Sequence, residues 1–148
     1  MADPRLKGQE VSVRIINNGT VVTEIDSVAN LNEATMLEIK EAGYLGETTN
    51  RFDEVLNGFG GDLEINITRA NWIALELAVI ARARRETPDV KFNVVVTDFL
   101  PNGETVIKTY LDVAWGEMPK SVPGRGDYVK PKLAFKCSER AVAVNALP

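Results

Sequence analysis

The side chains most able to do chemistry in this chain are its carboxylates. Asp53-Glu54 and the Asp62, Glu64 pair each set two acids near one another, which is what general acid and base catalysis requires. Both pairs also read as solvated charge at a turn and on a strand face, where acids protect a sheet edge from unwanted pairing. Histidine is absent, which removes the Ser-His and Cys-His dyads, imidazole metal ligands and the one side chain that titrates near neutrality unaided. The single cysteine, Cys137, has no internal disulfide partner; it reads as a small buried hydrophobe, with a reactive thiol or a bridge between subunits as the alternatives. No Gly-x-Gly-x-x-Gly opens a helix, no Gly-Lys-Ser/Thr phosphate loop occurs, and no cysteine pair has zinc spacing. Arg125-Gly126-Asp127 spells an integrin-type ligand, but it stands in a Pro/Gly-punctuated loop over 115–128 with no secretion signal ahead of it, so a turn is expected. These residues predict no enzyme, no cofactor and no metal.

The elements that carry these residues fit one domain over 1–148, with 45% hydrophobic and 26% charged residues, close to globular averages. No apolar run approaches the roughly 20 residues of a bilayer span, and the first residues lack a signal-peptide core, so a cytoplasmic protein without membrane contact is expected. A net charge of −4 and a pI near 5.0 oppose a general grip on nucleic acid. They are compatible with a passage through which DNA slides without adhering.

Val11, Val13 and Ile15 alternate with polar residues as a half-buried strand. The turn Asn17-Asn18-Gly19 would pair it with a strand over 21–25, Ile15 opposite Val21. The 32–40 run is helical by propensity but alternates at Thr35, Leu37 and Ile39, which predicts a strand. From 43 to 57 we expect a long loop bearing Tyr44, Leu45 and Phe52 among Glu47, Arg51, Asp53 and Glu54, either tucked against its own core or held by a partner. Leu63, Ile65 and Ile67 mark the next strand, and Thr68 caps a helix over about 69–85. Its apolar residues span roughly 200° of arc, wider than one packing face needs. That helix is therefore expected to touch something on two sides, with Trp72 and Glu76 inside the arc. Arg82, Arg84 and Arg85 complement the negative helix end rather than a nucleic acid. Strands over 91–99 and 104–113 flank Asn102-Gly103, whose two-residue turn would pair Phe99 with Val106 and Val95 with Tyr110. A last strand covers 132–137, and 141–148 extends it or leaves as a C-terminal arm. The sum is a mainly β (α+β) fold, an antiparallel sandwich or barrel of about seven strands with one flanking helix.

The stretch Glu41-Ala42-Gly43-Tyr44-Leu45-Gly46-Glu47, then Arg51-Phe52-Asp53-Glu54 and Asn57-Gly58 before the strand from Asp62, resembles the central signature of bacteriophage major tail tube proteins. The resemblance continues through the helix, the Asn102-Gly103 hairpin and the closing strand, nearly the whole chain. It implies a virion structural subunit, assembled in the host cytoplasm, that forms hexameric rings stacked into a hollow tube for genome ejection. It implies sheath, baseplate or tail-terminator proteins as partners, and tape-measure protein and transiting DNA in the lumen without specific binding. The 43–57 segment would reach neighbouring subunits, giving Tyr44, Leu45, Glu47, Arg51, Phe52, Asp53, Trp72 and Glu76 as interface residues. Glu38 and Glu64, polar positions on predicted strands, are candidates to face an acidic lumen. The related haemolysin-coregulated tube protein of type VI secretion is the alternative, and a lipocalin-like binder of a small apolar ligand, which needs a closed barrel of about eight strands, is the reading from another class.

Overall fold

The computed structural model describes residues 4–17, 28–67 and 70–145; the Asn17-Asn18-Gly19 turn with its partner strand over 21–25, the Thr68 cap and the end of the C-terminal arm fall outside the described residues. Among these residues eight strands and one α-helix follow in order: β1 Val11–Asn17, β2 Val28–Ala42, β3 Arg51–Ile65, α1 Asn71–Ala83, β4 Phe92–Phe99, β5 Thr105–Leu111, β6 Ala114–Trp115, β7 Lys132–Cys137 and β8 Glu139–Asn145. They form two antiparallel four-stranded sheets, one ordered β1-β4-β5-β8 and the other β2-β3-β7-β6. No closed barrel forms among the described residues; the arrangement is a β-sandwich. The predicted architecture is present, and no helix among the described residues is long and apolar enough to cross a membrane.

The two sheets share a corner. Leu111 lies opposite Glu139 in the first sheet and Ala114 opposite Lys136 in the second, so the pairing passes from one to the other without a change of count. The segment 138–145 therefore continues the last predicted strand, bending into the opposite sheet to pair with β5. Alternate residues on facing strands supply the core: Val13, Ile15, Val94, Val96 and Tyr110 from one sheet meet Leu63, Ile65, Leu133, Phe135 and Cys137 from the other. Tyr110 and Trp115 each stand edge-on to Phe135, with ring centroids 5.2 and 6.2 Å apart. Cys137 is buried, as a hydrophobe of the core would be, and burial pushes its thiol pKa up.

The β4–β5 hairpin corrects one predicted register. Phe99 lies opposite Thr105, Val95 opposite Thr109 and Val94 opposite Tyr110, one residue away from the pairing that a two-residue Asn-Gly turn would give. The loop closes around three residues: Leu100 N–H donates to the Glu104 carbonyl, Gly103 N–H to the Leu100 carbonyl, both at 2.9 Å, and Gly103 has φ +93°. That register puts Val94, Val96 and Tyr110 on the core face together, where a slip of one would have turned part of the set outward.

Helix α1 closes the end of the sandwich where β3 finishes and β4 begins. Leu75 is fully buried, with Trp72, Ala78 and Val79 packed against the core. Arg82 donates to the Val113 carbonyl at 2.9 Å and lies 4.6 Å over the Phe92 ring. Its structural role thus goes beyond the helix dipole. The helix stops in a Schellman turn: Glu86 N–H reaches the Ala81 carbonyl and Arg85 N–H the Arg82 carbonyl, both at 3.0 Å. The left-handed position is held by Arg85, at φ +61°, where glycine would carry no Cβ strain.

Glycines set the spacing of the second sheet. A Cβ at Gly60 would lie 2.6 Å from the Phe135 carbonyl oxygen, and one at Gly61 would run into the Asn32 carbonyl. In urea denaturation, Gly61→Ala should lose about 1–3 kcal/mol or more through overpacking against backbone. Arg85→Gly should gain up to about 1 kcal/mol by relieving the left-handed strain, partly offset by the freer unfolded chain.

Candidate assembly surfaces

The segment expected as a loop over 43–57 is a strand-paired ribbon for much of its length. β2 and β3 each run 15 residues, whereas β4 and β5 run 8 and 7. At about 3.3 Å per residue the longer pair overhangs the shorter sheet by roughly 20 Å. Only 43–50 is a true turn; 51–56 pairs with β2, from Ala42 opposite Arg51 to Leu37 opposite Leu56. The ladder slips between Met36 and Leu37, where Asn57 has no partner opposite it.

This bulge decides what the ribbon shows. On β2 the inward row Leu31, Glu33, Thr35 continues past the sandwich as Leu37, Ile39 and Glu41. On β3 the bulge brings Leu56, Glu54 and Phe52 onto that same side, since they lie opposite Leu37, Ile39 and Glu41. The interior face of the sandwich thus extends into the open. Leu37, Ile39, Phe52 and Leu56 are 58%, 67%, 66% and 55% exposed. The other face carries Glu38, Lys40, Arg51 and Asp53, with Glu38 and Lys40 paired at 2.8 Å.

At the tip, the predicted residues Tyr44, Glu47 and Arg51 come together. Arg51 meets Glu47 through Nη2 at 2.6 Å and through Nε at 3.2 Å, and its guanidinium lies 5.2 Å from the Tyr44 ring centroid. Gly46 at φ +87° turns the chain there and leaves Leu45 fully exposed. Phe52 falls on the apolar face of the ribbon and Asp53 on the charged one, opposite Lys40. Trp72 and Glu76 stand at the far end of the molecule, lining a cleft with Met118, Lys120 and Leu133; Lys120 Nζ sits 4.9 Å from the Trp72 ring centroid. The outward helix residues are instead Ile73, Leu77 and Ile80, which sequence reasoning placed in the apolar arc without separating them from the core-facing set.

Glu64 stands on the outer face of the second sheet, accepting from Asn30 Nδ2 at 2.8 Å with Lys132 at 3.5 Å, while Asn32 donates to Asp62 at 2.7 Å. Glu38 lies on the same row of β2 as Asn30 and Asn32. Both acids are held below the usual carboxylate range: Glu38 by hydrogen bonds from Lys40 and then Asn57, Glu64 chiefly by the Asn30 amide. The face is polar rather than purely acidic, because Lys132 and Lys136 share it. Asp53-Glu54 does not form a catalytic pair: neighbours on a strand, the two point to opposite faces of the ribbon. No group of three or more Asp, Glu or Cys residues among the described residues could hold a metal ion.

The ribbon is fastened to the body at its base. Glu33 accepts from Tyr110 Oη at 2.5 Å and from Lys108 Nζ at 2.8 Å, and Lys108 also reaches Asp98 at 3.5 Å. Arg140 lies 4.6 Å over Phe59 and 5.9 Å over Tyr110. The Glu33 contacts and the Arg140–Phe59 contact cross between the sheets where the ribbon leaves them.

No protein-family model matches the sequence, and no curated protein sequence matches it. Solved structures do match in shape. A chain of the six-fold symmetrised baseplate of the anti-feeding prophage superposes with a TM-score of 0.68 over 97% of both chains, at 15% identity. A chain from the sheath–tube complex of PVC, an extracellular contractile injection system, gives 0.56 over 97% of this chain and 93% of that one, at 8% identity. The Hcp crystal structure gives 0.53 over 91% and 98%, also at 8% identity. The chain shares the fold of Hcp and of these injection-system proteins.

Tyr110 supplies a pH test of the fastening. Burial first, and the Glu33 hydrogen bond second, push its pKa up to about 12. The unfolded phenol titrates near 10, so the native state holds its proton longer and the associated stability is lost as pH rises from about 10 through 12. Tyr110→Phe should cost about 1 kcal/mol at neutral pH, and the gap from wild type should narrow over that alkaline window. Urea titrations at several pH values measure it.

Proposed function

We propose that this chain is a structural tube subunit: copies join side by side into rings, and rings stack into the hollow tube of a phage tail or related injection particle. The observation that carries this reading is the overhanging ribbon, whose face continues the sandwich interior with nothing among the described residues to cover it. A two-stranded ribbon with an exposed apolar face is marginal by itself. Another molecule is the cover we propose, and the fold shared with chains of contractile injection assemblies makes another copy the economical choice.

Hexameric rings are the expected form, in line with the six-fold symmetry of the prophage baseplate that contains the similar chain. Tyr44, Leu45, Glu47, Arg51, Phe52 and Asp53 at the ribbon tip are proposed interface residues, with Trp72 and Glu76 at the helix end. Glu38 and Glu64, on one outward face, are proposed to look into the lumen, where carboxylates repel a passing DNA backbone. Sheath, baseplate and terminator proteins would surround such a tube, with tape-measure protein inside it, and the role asks for no catalysis. A second reading, a tube that delivers protein rather than genome, is favoured by the likeness to Hcp and to extracellular injection systems.

The test is electron microscopy of purified protein at high concentration, alone and with baseplate components. Rings or tubes of uniform width are expected; a strictly monomeric species under both conditions overturns the proposal. Leu45→Asp and Phe52→Asp should each leave a folded monomer, with an unchanged urea midpoint, that no longer polymerises. Normal polymerisation by either variant would remove that residue from the interface.

A further inference from the structure

Two apolar surfaces without cover among the described residues stand at opposite ends of the molecule. The first is the ribbon face described above. The second is on α1: Ile73, Leu77, Ile80 and Arg84 recur at helical spacing within about 60° of arc, opposite the buried Leu75. Ile73, Leu77 and Ile80 are 37%, 60% and 37% exposed. Ala70, Ala74 and Ala81 border this stripe, so another backbone can come close to it.

The two surfaces match in length and charge. The helix row from 73 to 84 is roughly 16 Å long, and the ribbon rows over 37–41 and 52–56 are each about 13 Å. The ribbon face carries Glu41 and Glu54 towards its tip and no cation. The helix stripe ends on Arg84, with Arg85 beside it. Glu41, Glu54 and Arg84 take part in no ion pair among the described residues.

They cannot meet within one chain. The apolar row of the ribbon ends at Leu56 and the helix follows the Ile65 end of β3, nine residues further on, so roughly 30 Å of strand lies between them. We infer that the ribbon face of one copy lies along the α1 stripe of a neighbouring copy displaced along β3, Leu37 and Leu56 towards Ile73 and Glu41 and Glu54 at Arg84. This rests on the self-assembly reading above and adds to it the partner surface and the direction of propagation. Two different patches joined head to tail generate a repeating contact instead of a closed dimer.

Paired cysteines test the contact. In mixtures of Ile39→Cys with Leu77→Cys protein under mild oxidation, a disulfide-linked heterodimer is expected. Ile39→Cys mixed with Val142→Cys should give none; a cross-link there, at the exposed apolar residues of β8, overturns the inference. Charge exchange gives a second readout. Arg84→Glu, and the double variant Glu41→Arg with Glu54→Arg, should each raise the concentration needed for assembly about tenfold, a loss of about 1.4 kcal/mol, and the triple variant should return towards wild type. Singly exchanged proteins that assemble as wild type, or tubes that form without the Ile39–Leu77 cross-link, also overturn it. A specific cross-link with no higher assembly would instead uphold the contact and overturn the tube reading.

Discussion

The rest of the structure depends on a close approach of backbones at Gly58, Gly60 and Gly61. There β3 lies against β7 on one side and β2 on the other so tightly that a single Cβ would strike a carbonyl. Just beyond this point the chain after Cys137 turns away into the opposite sheet, and β3 loses its neighbour on that side. Gly58, at φ +146°, takes up the irregularity where the strands part. Side chains at these positions would wedge the sheet open, and the geometry that sends β8 one way and the ribbon the other would be lost.

From that parting follows the polarity of the molecule. One end is finished: α1 covers the core, and Arg82 ties it to the Val113 carbonyl. The other end is left unfinished, because the first sheet is half as long as the ribbon it would have to cover. Glu33, Tyr110 and Lys108 mark the boundary as a polar knot between an interior that is closed and one that is not. A chain with one finished and one unfinished end has a direction, which the assembly proposed above would use.

Much of this was legible in the sequence, and the gaps have physical causes. Alternation at Val11–Ile15 and at Leu63–Ile65 identified strands, and Thr35, Leu37 and Ile39 overruled the helical propensity of their segment. The width of the helical apolar arc announced a second surface on α1. It did not tell which side faced the body, so Trp72 and Glu76 were singled out while Ile73, Leu77 and Ile80 point outward. The ribbon was mistaken for a loop for two reasons: the bulge at Asn57 breaks the alternation of 52–56 from that of 63–65, and glycines that permit close strand packing look like turn formers when read singly. The hairpin at Asn102-Gly103 misled in the same way, since the dipeptide signals a turn but not whether two or three residues close it.

The order in which such a chain gains structure follows from the ribbon as well. β2 and β3 are joined by a short turn and can pair as soon as residue 65 is available, whereas β1 waits for β4 and β5 for β8. The most local pairing in the second sheet therefore displays its apolar face before the core that anchors it exists. A chain caught at that stage exposes an apolar face, the condition under which association competes with folding. Lys40 and Asp53, charged and facing one another across the ribbon's other side, make that side the less adhesive of the two.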